Sequence, residues 1–370
     1  MLALFRLPIA VTVVGIVAAG IIGGPQIAGI VAILAILEVS LSFDNAVVNA
    51  TVLQKMNPYW QRIFLTVGVL IAVFGMRLLF PLIVVSLAGH ISPIGALNLA
   101  LNHPHQYAVK LTEAHPAIGT FGGIFLLMIF LDFIFEDQDL KWLAPVERAL
   151  ARIGKLDQAS VIIALLVLII AATTFAQHDA IKVLLSGAAG LATYLAVNSL
   201  SELFESEEEK VVAEGAAGEE DEAADGAGAE QKVKMPRNLA RLGLFTFLYL
   251  EVLDAAFSFD GVVGAFAVTD MIFVIALGLG IGACYIRALT VYLVRRGTLA
   301  NYVYLEHGAH WAIGSLAVLL FITIRYHVPD IITGLIGVGF IAAALISSIV
   351  RNRREAEAAR SAPVAEPLKT

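Results

Sequence analysis

The sequence predicts an all-α membrane protein of about ten transmembrane helices, arranged as two inverted-topology repeats. Three observations lead there. The apolar residues fall in blocks long enough to cross a bilayer, the cationic residues lie overwhelmingly on one side of those blocks, and an acidic motif occurs twice. The chain has 370 residues, 59% of them hydrophobic and only 15% charged, with a mean hydropathy of +0.85. A soluble domain needs a polar skin in which about 25% of residues are charged. A helix of roughly 20 apolar residues crosses the hydrocarbon core. The alternating ten-residue pattern of an outer-membrane barrel is missing.

Ten candidate spans can be placed at residues 6–24, 27–53, 62–88, 117–136, 159–177, 180–203, 240–269, 271–294, 308–326 and 330–350. The first follows Arg6 and is read as an uncleaved span, because it lacks the polar cleavage region of a signal peptide. With the N-terminus and C-terminus cytoplasmic, nineteen Lys and Arg residues fall inside and only Lys110, Lys182 and Arg325 fall outside, while Arg77 and Arg287 lie within spans. That asymmetry is what the positive-inside rule expects, and the expected location is a bacterial plasma membrane. The single cysteine, Cys284, allows no intramolecular disulfide.

The chain divides at its charge. Twelve Asp/Glu and one Lys lie between Glu202 and Glu230, a local charge of −11, so the rest of the chain is +4, since −7 minus −11 is +4. Residues 204–236 are too poor in apolar surface to fold and read as a disordered cytoplasmic linker. It separates a first membrane half, 1–203, from a second, 237–350, and residues 351–370 read as a mobile cytoplasmic tail.

The two halves carry the same motif. Glu38-Val-Ser-Leu-Ser-Phe-Asp-Asn-Ala-Val47 aligns with Asp254-Ala-Ala-Phe-Ser-Phe-Asp-Gly-Val-Val263 at an offset of 216, matching Glu38 with Asp254, Ser42 with Ser258 and Asp44 with Asp260. In the next span of each half, Gly68 precedes Arg77 by nine residues and Gly278 precedes Arg287 by nine. The acidic helices 27–53 and 240–269 are the second and seventh spans, with four between them, so they run in opposite directions, the arrangement from which many secondary transporters build a midplane site. The arginine helices are 62–88 and 271–294.

On a helix Glu38, Ser42, Asn45 and Asn49 share one face, and Glu251, Asp254, Ser258 and Gly261 share another. Asp44 and Asp260 point about 120° away. A distortion near Ser42–Asn45 and Ser258–Gly261 would bring them round, and Gly261 would ease it. Alternatively each aspartate faces a different neighbour. An acid at the bilayer centre costs on the order of 3 kcal/mol, so intramembrane acids mark function by default. Five acids (Glu38, Asp44, Glu251, Asp254, Asp260) face two arginines, Arg77 and Arg287. Ion pairs alone leave carboxylates over, and these must be protonated or bind a cation. The donors are carboxylates, the Asn45 amide and the Ser42 and Ser258 hydroxyls, a hard oxygen set suited to Mg²⁺, Ca²⁺ or Mn²⁺. Metal binding would displace protons, so protons are a candidate coupling ion. No nucleotide- or nucleic-acid-binding pattern accompanies the motif; Gly278, Gly280 and Gly282 follow no strand and read as a helix-packing surface.

Weaker signals lie elsewhere. His90, His103, His105 and His115, with Glu113, occupy the predicted outer loop and could form a metal-capturing vestibule or simply a polar loop. Glu306-His307-Gly-Ala-His310 lacks the order of a zinc protease motif and suggests gating, a proton relay or an interfacial anchor. Asp132, and Asn49 on the acidic face, are further accessory candidates.

Around these motifs the sequence resembles the TerC family, tellurium-resistance-type membrane proteins of the LysE-like transporter superfamily. The stretches that carry the resemblance are Glu38 to Asn45, Gly68 to Arg77-Leu-Leu-Phe80, Asp254 to Asp260, Thr269-Asp-Met-Ile-Phe-Val274 and Ile286-Arg-Ala-Leu289, about a tenth of the chain. The family has Ser-Ile-Pro after its second aspartate, where this chain has Gly261-Val-Val263, which marks a divergent branch. The resemblance implies metal-ion homeostasis, with manganese efflux the leading activity. A secondary transporter of Mn²⁺ or Ca²⁺, with no bound cofactor, is therefore expected. The rivals are an amino-acid exporter of the same superfamily, an intramembrane aspartyl protease and a membrane scaffold. The protease's Gly-x-Gly-Asp motif is absent.

Overall fold

The computed structural model describes residues 2–54, 56–136, 138, 140–156, 158–176, 179–218, 237–266, 268–295 and 302–361. Among the described residues every regular element is helical. They are α1 (Leu2–Leu41), α2 (Phe43–Leu53), α3 (Pro58–Leu70), a π-helical stretch (Ile71–Leu79), α4 (Phe80–Ala88), α5 (Pro93–Asn102), α6 (Pro104–Phe135), α7 (Ala144–Ile153), α8 (Ala159–Ile170), a second π-helical stretch (Ala171–Phe175), α9 (Ala180–Gly218), α10 (Arg237–Phe266), α11 (Ile272–Arg295), α12 (Leu305–Thr323) and α13 (Asp330–Ser361). Seven of the described helices are long and apolar enough to cross a membrane. The expected ten differ for stated reasons. Span 6–24 and the first part of 27–53 share the helix α1, with the rest of 27–53 forming the short α2; 159–177 is a shorter apolar helix, and 240–269 is not among the seven, being rich in charged side chains.

Helix α1 is not straight. Gly24 takes φ 81 and ψ 177, a left-handed conformation that glycine supplies without strain, and Pro25 follows it. A Cβ on Gly20 would lie 3.6 Å from the Ala28 Cβ, whereas eight residues of straight helix span about 12 Å. The two arms fold back on each other and both lie along α11: the Phe5 and Tyr285 rings lie 6.5 Å apart, Gly15 meets Ile281, Leu34 meets Gly278 and Glu38 meets Gly282. The arms pass α11 in opposite directions. Gly278 and Gly282 let the second arm close in, since a Cβ at either would lie within 2.6 Å of the Leu34 or Glu38 Cβ.

The helices α6 and α11 are mostly buried, whereas α1 and α13 present apolar surface outward, as lipid contact requires. Helix α6 packs on α9, α10 and α12 around Phe125, Met128 and Leu320, and a second cluster around Leu34, Tyr107 and Ile275 joins α1, α5, α6 and α11. Segments assigned to one membrane face meet at one end of the bundle. Arg325 donates to the Thr174 carbonyl at 3.2 Å and His105 lies 3.8 Å from Asp270 at one end, while the Tyr304 amide donates to Ser348 Oγ at 3.0 Å and Trp142 Nε1 to Ser347 Oγ at 3.1 Å at the other.

Two expectations change. Helix α9 continues to Gly218, into the segment read as a disordered linker, because Glu, Ala and Lys are strong helix formers that need no core to extend a helix already anchored in the bundle; residues 219–236 lie outside the described residues. For the same reason α13 runs on to Ser361, into the segment read as a mobile tail, of which residues 362–370 lie outside the described residues.

Candidate functional site

The site forms where the two acidic helices pass each other. The first is interrupted at Ser42, which has φ −100 and ψ 16 between α1 and α2. That is where the sequence asks for a distortion. The second, α10, runs unbroken through Ser258 and Gly261, so the unwinding expected there does not occur. The glycine serves packing instead: a Cβ on Gly261 would lie 3.2 Å from Glu38 Oε2. Glu38, Ser42, Asn45 and Asn49 are all buried, as are Glu251, Asp254 and Ser258. The side chains of Asp44 and Asp260 lie outside the described residues.

The acids and arginines meet as follows. Arg77 hydrogen-bonds Glu38 Oε1, and Ser42 Oγ donates to the same oxygen at 3.1 Å. Arg77 also donates to the Ala72 carbonyl, five residues back within the π-helical stretch, whose wider turn is a common feature of functional sites. In the other half Arg287 Nη2 lies 3.6 Å from Asp254 Oδ2, 3.7 Å from Glu251 Oε1 and 3.4 Å from the Gly68 carbonyl, with its guanidinium 3.9 Å over the Phe64 ring. Asn45 Nδ2 donates to Asp254 Oδ1 at 2.7 Å, joining the halves.

These contacts exchange under the sequence offsets. The offset of 216 carries Glu38 to Asp254 and Asn45 to Gly261, so the Glu38–Gly261 approach is the counterpart of the Asn45–Asp254 bond. Arg77–Glu38 likewise corresponds to Arg287–Asp254. The exception is Glu251, which aligns with Ala35. It shares Arg287 with Asp254, and neither of its oxygens accepts a hydrogen bond among the described residues. Three described carboxylates thus face two arginines. Ser258 Oγ and both amide atoms of Asn49 also lack hydrogen-bond partners among the described residues. Such orphaned groups in a buried site call for a ligand, ion or water.

Glu251 is also the group that can be reached. It lines a cavity of about 730 Å³ whose far end carries His90, Lys110, Glu113 and Lys182. The Lys110–Lys182 end is a feature that sequence reading missed, since residues so far apart share no local pattern.

The sequence leaves the outer histidines as either a metal-capturing vestibule or a polar loop. His90 and Glu113 line the cavity, while His105 is exposed beside Asp270. Among the described residues no three His, Cys, Asp or Glu side chains converge as a metal's ligand set. Asp132 accepts from Tyr194 OH at 2.6 Å and lines a separate cavity of about 370 Å³ with Glu136, Ser160 and Asn198. His310 stacks on Phe133 at 3.6 Å, with its Nδ1 2.8 Å from the Glu306 carbonyl. The buried histidine of that motif is His307, 3.3 Å from Glu147 Oε2. Glu147 was missed in the sequence. It accepts from the Trp142 and Leu143 amides at 3.0 and 3.1 Å and from Trp311 Nε1 at 3.2 Å, closing the start of α7 and tying it to α12. The signal for it was a proline at the helix start followed by a first-turn glutamate.

A family model described as a protein of unknown function, DUF475, matches residues 43–355. The chain belongs to that family. The DUF475 region takes in Asn45, Asn49, Arg77, Glu251, Asp254, Ser258 and Arg287, and begins just after Glu38 and Ser42. No curated protein and no solved structure matches the chain.

Proposed function

We propose that this protein is a secondary transporter of a divalent cation, Mn²⁺ or Ca²⁺, working in the efflux direction in a bacterial plasma membrane. The observation that carries the reading is the surplus of buried carboxylate: Glu251 shares one arginine with Asp254 and borders a cavity open at one end. Ion pairs explain Glu38 and Arg77, but they leave negative charge over in the other half, where a cation would restore balance. Glu38, Ser42, Asn45, Asp254 and Ser258 offer hard oxygens, and Asp44 and Asp260 would add two carboxylates. The exchange of contacts between the halves supports two inverted repeats, and the resemblance to TerC proteins supports metal as cargo. Arg77 and Arg287 would hold the carboxylates while the site is empty, and protons would replace the ion on the return.

A second reading keeps the site and changes the cargo to an amphoteric amino acid whose ammonium group sits at Glu251. It is favoured by the lack of a three-ligand set among the described residues. No enzymatic activity is proposed.

The test is uptake into proteoliposomes by Glu251→Gln, Asp44→Asn and Asp260→Asn. Each variant is expected to insert normally and lose flux. Undiminished flux in all three would overturn the assignment.

A further inference from the structure

The crevice beside Glu251 has a shape and lining that a cation site does not call for. It opens between α4 and α9 with α6 and α10 beneath, and its volume of about 730 Å³ falls in the roughly 300–1,000 Å³ range of ligand-sized cavities. Along α6 its wall runs from Lys110 to Gly122, about 18 Å at 1.5 Å per residue. One leaflet supplies about 15 Å, half of the 30 Å hydrocarbon core. The crevice is therefore about one leaflet deep. It also opens sideways: Leu185 on α9 is 68% exposed and Leu248 on α10, near its inner end, is 42% exposed. Val84, Ile118 and Phe121 make the wall apolar.

The mouth is the reverse, carrying two ammonium groups, Lys110 and Lys182, beside Glu113 and His90, with a second carboxylate, Asp179, next to Lys182. The Lys182 amine also reaches Asp179 at 2.8 Å.

We infer that this crevice holds one acyl chain of a phospholipid with an ethanolamine headgroup. The phosphate lies at Lys110 and Lys182 and the headgroup ammonium at Glu113, while the chain covers Glu251. The charges decide the headgroup. A phosphate meets Lys110 and the Lys182 amine, which Asp179 also holds, and leaves Glu113 for a cation that can donate hydrogen bonds. A choline headgroup has no such donor, and a glycerol headgroup has no cation. A resident chain seals Glu251 from that face of the membrane until it moves, whichever cargo the site carries. The inference stands on the crevice alone and survives failure of the transport reading.

Native mass spectrometry of the full chain, released from micelles holding equal ethanolamine, choline and glycerol phospholipids, tests it. One retained ethanolamine lipid is expected. Lys110→Gln and Lys182→Gln are each expected to lower retention about fivefold, equivalent to the ~1 kcal/mol a lysine contributes at a lipid surface. Ala189→Trp, which fills the crevice from its exposed side, is expected to abolish retention; Ala117→Leu serves the same end should the tryptophan variant misfold. Equal retention in the crevice-filling variant, retention blind to headgroup, or loss of the lipid on adding inorganic phosphate would each overturn it.

Discussion

Asn49 offers a clean separation of stability from function. Its side chain is 0% exposed, and neither its amide nitrogen nor its oxygen has a hydrogen-bond partner among the described residues. An unsatisfied buried polar group costs about 1–3 kcal/mol, so the two atoms together cost about 2–6 kcal/mol. Asn49→Leu removes both groups and keeps the volume filled. At about 2.1 cal/mol/K per residue, that relief corresponds to a rise in Tm of roughly 3–8 °C for this chain. Asn49→Ala also removes the polar atoms but leaves a cavity, and is expected to gain less. Thermal unfolding of the purified chain in detergent gives the stability, and uptake into proteoliposomes gives the function. The expected outcome is a more stable protein that transports poorly, because a polar group kept at such cost is kept for a ligand. A Tm below that of the wild type with uptake retained would refute this reasoning, and would mean that the amide is a satisfied structural group.

The remaining predictions concern the pairs around it. Arg77→Gln leaves Glu38 buried without its partner and is expected to cost about 3–5 kcal/mol, most of which the added Glu38→Gln restores; a double-mutant cycle on unfolding free energies measures the coupling. Gly282→Ala places a methyl 2.5 Å from the Glu38 Cβ and 2.9 Å from the Ala35 carbonyl, so α1 and α11 must separate. It is expected to cost about 1–3 kcal/mol and to lower cargo affinity, whereas Gly29→Ala, with open space around it, is expected to change neither. Protons and metal compete for the same carboxylates, so the apparent Kd for the cation is expected to weaken as pH falls, which isothermal titration at several pH values would show.

What could be read from the sequence was whatever repeats along one helix. The 4, 3, 4 spacing of Glu38, Ser42, Asn45 and Asn49 placed them on one face, and all four are buried. Buried charge on Arg77 and Arg287 followed from their apolar surroundings. Pairings between helices were less legible. That Asn45 bonds Asp254, and that Glu251 shares Arg287 with it, depends on how α2, α10 and α11 cross. Gly261 was ambiguous for a physical reason, since a missing side chain permits both an unwound turn and a close neighbour, and here the neighbour is Glu38. The π-helical stretch at Ile71–Leu79 has the same apolar pattern as an ordinary helix and shows itself only through the Arg77 bond to Ala72. Helix propensity carried α9 and α13 past the points where their apolar surface ends, and composition alone obscured that.

The central claim is that carboxylate in excess of arginine makes a cation-binding centre between the two halves. Flux of Mn²⁺, Ca²⁺ and Mg²⁺ into proteoliposomes, with and without a pH gradient and with lysine as an amphoteric competitor, tests it most directly. Saturable movement of at least one divalent ion, lost in Glu251→Gln, is the expected result. Vesicles that stay as tight to every ion as protein-free controls would contradict it.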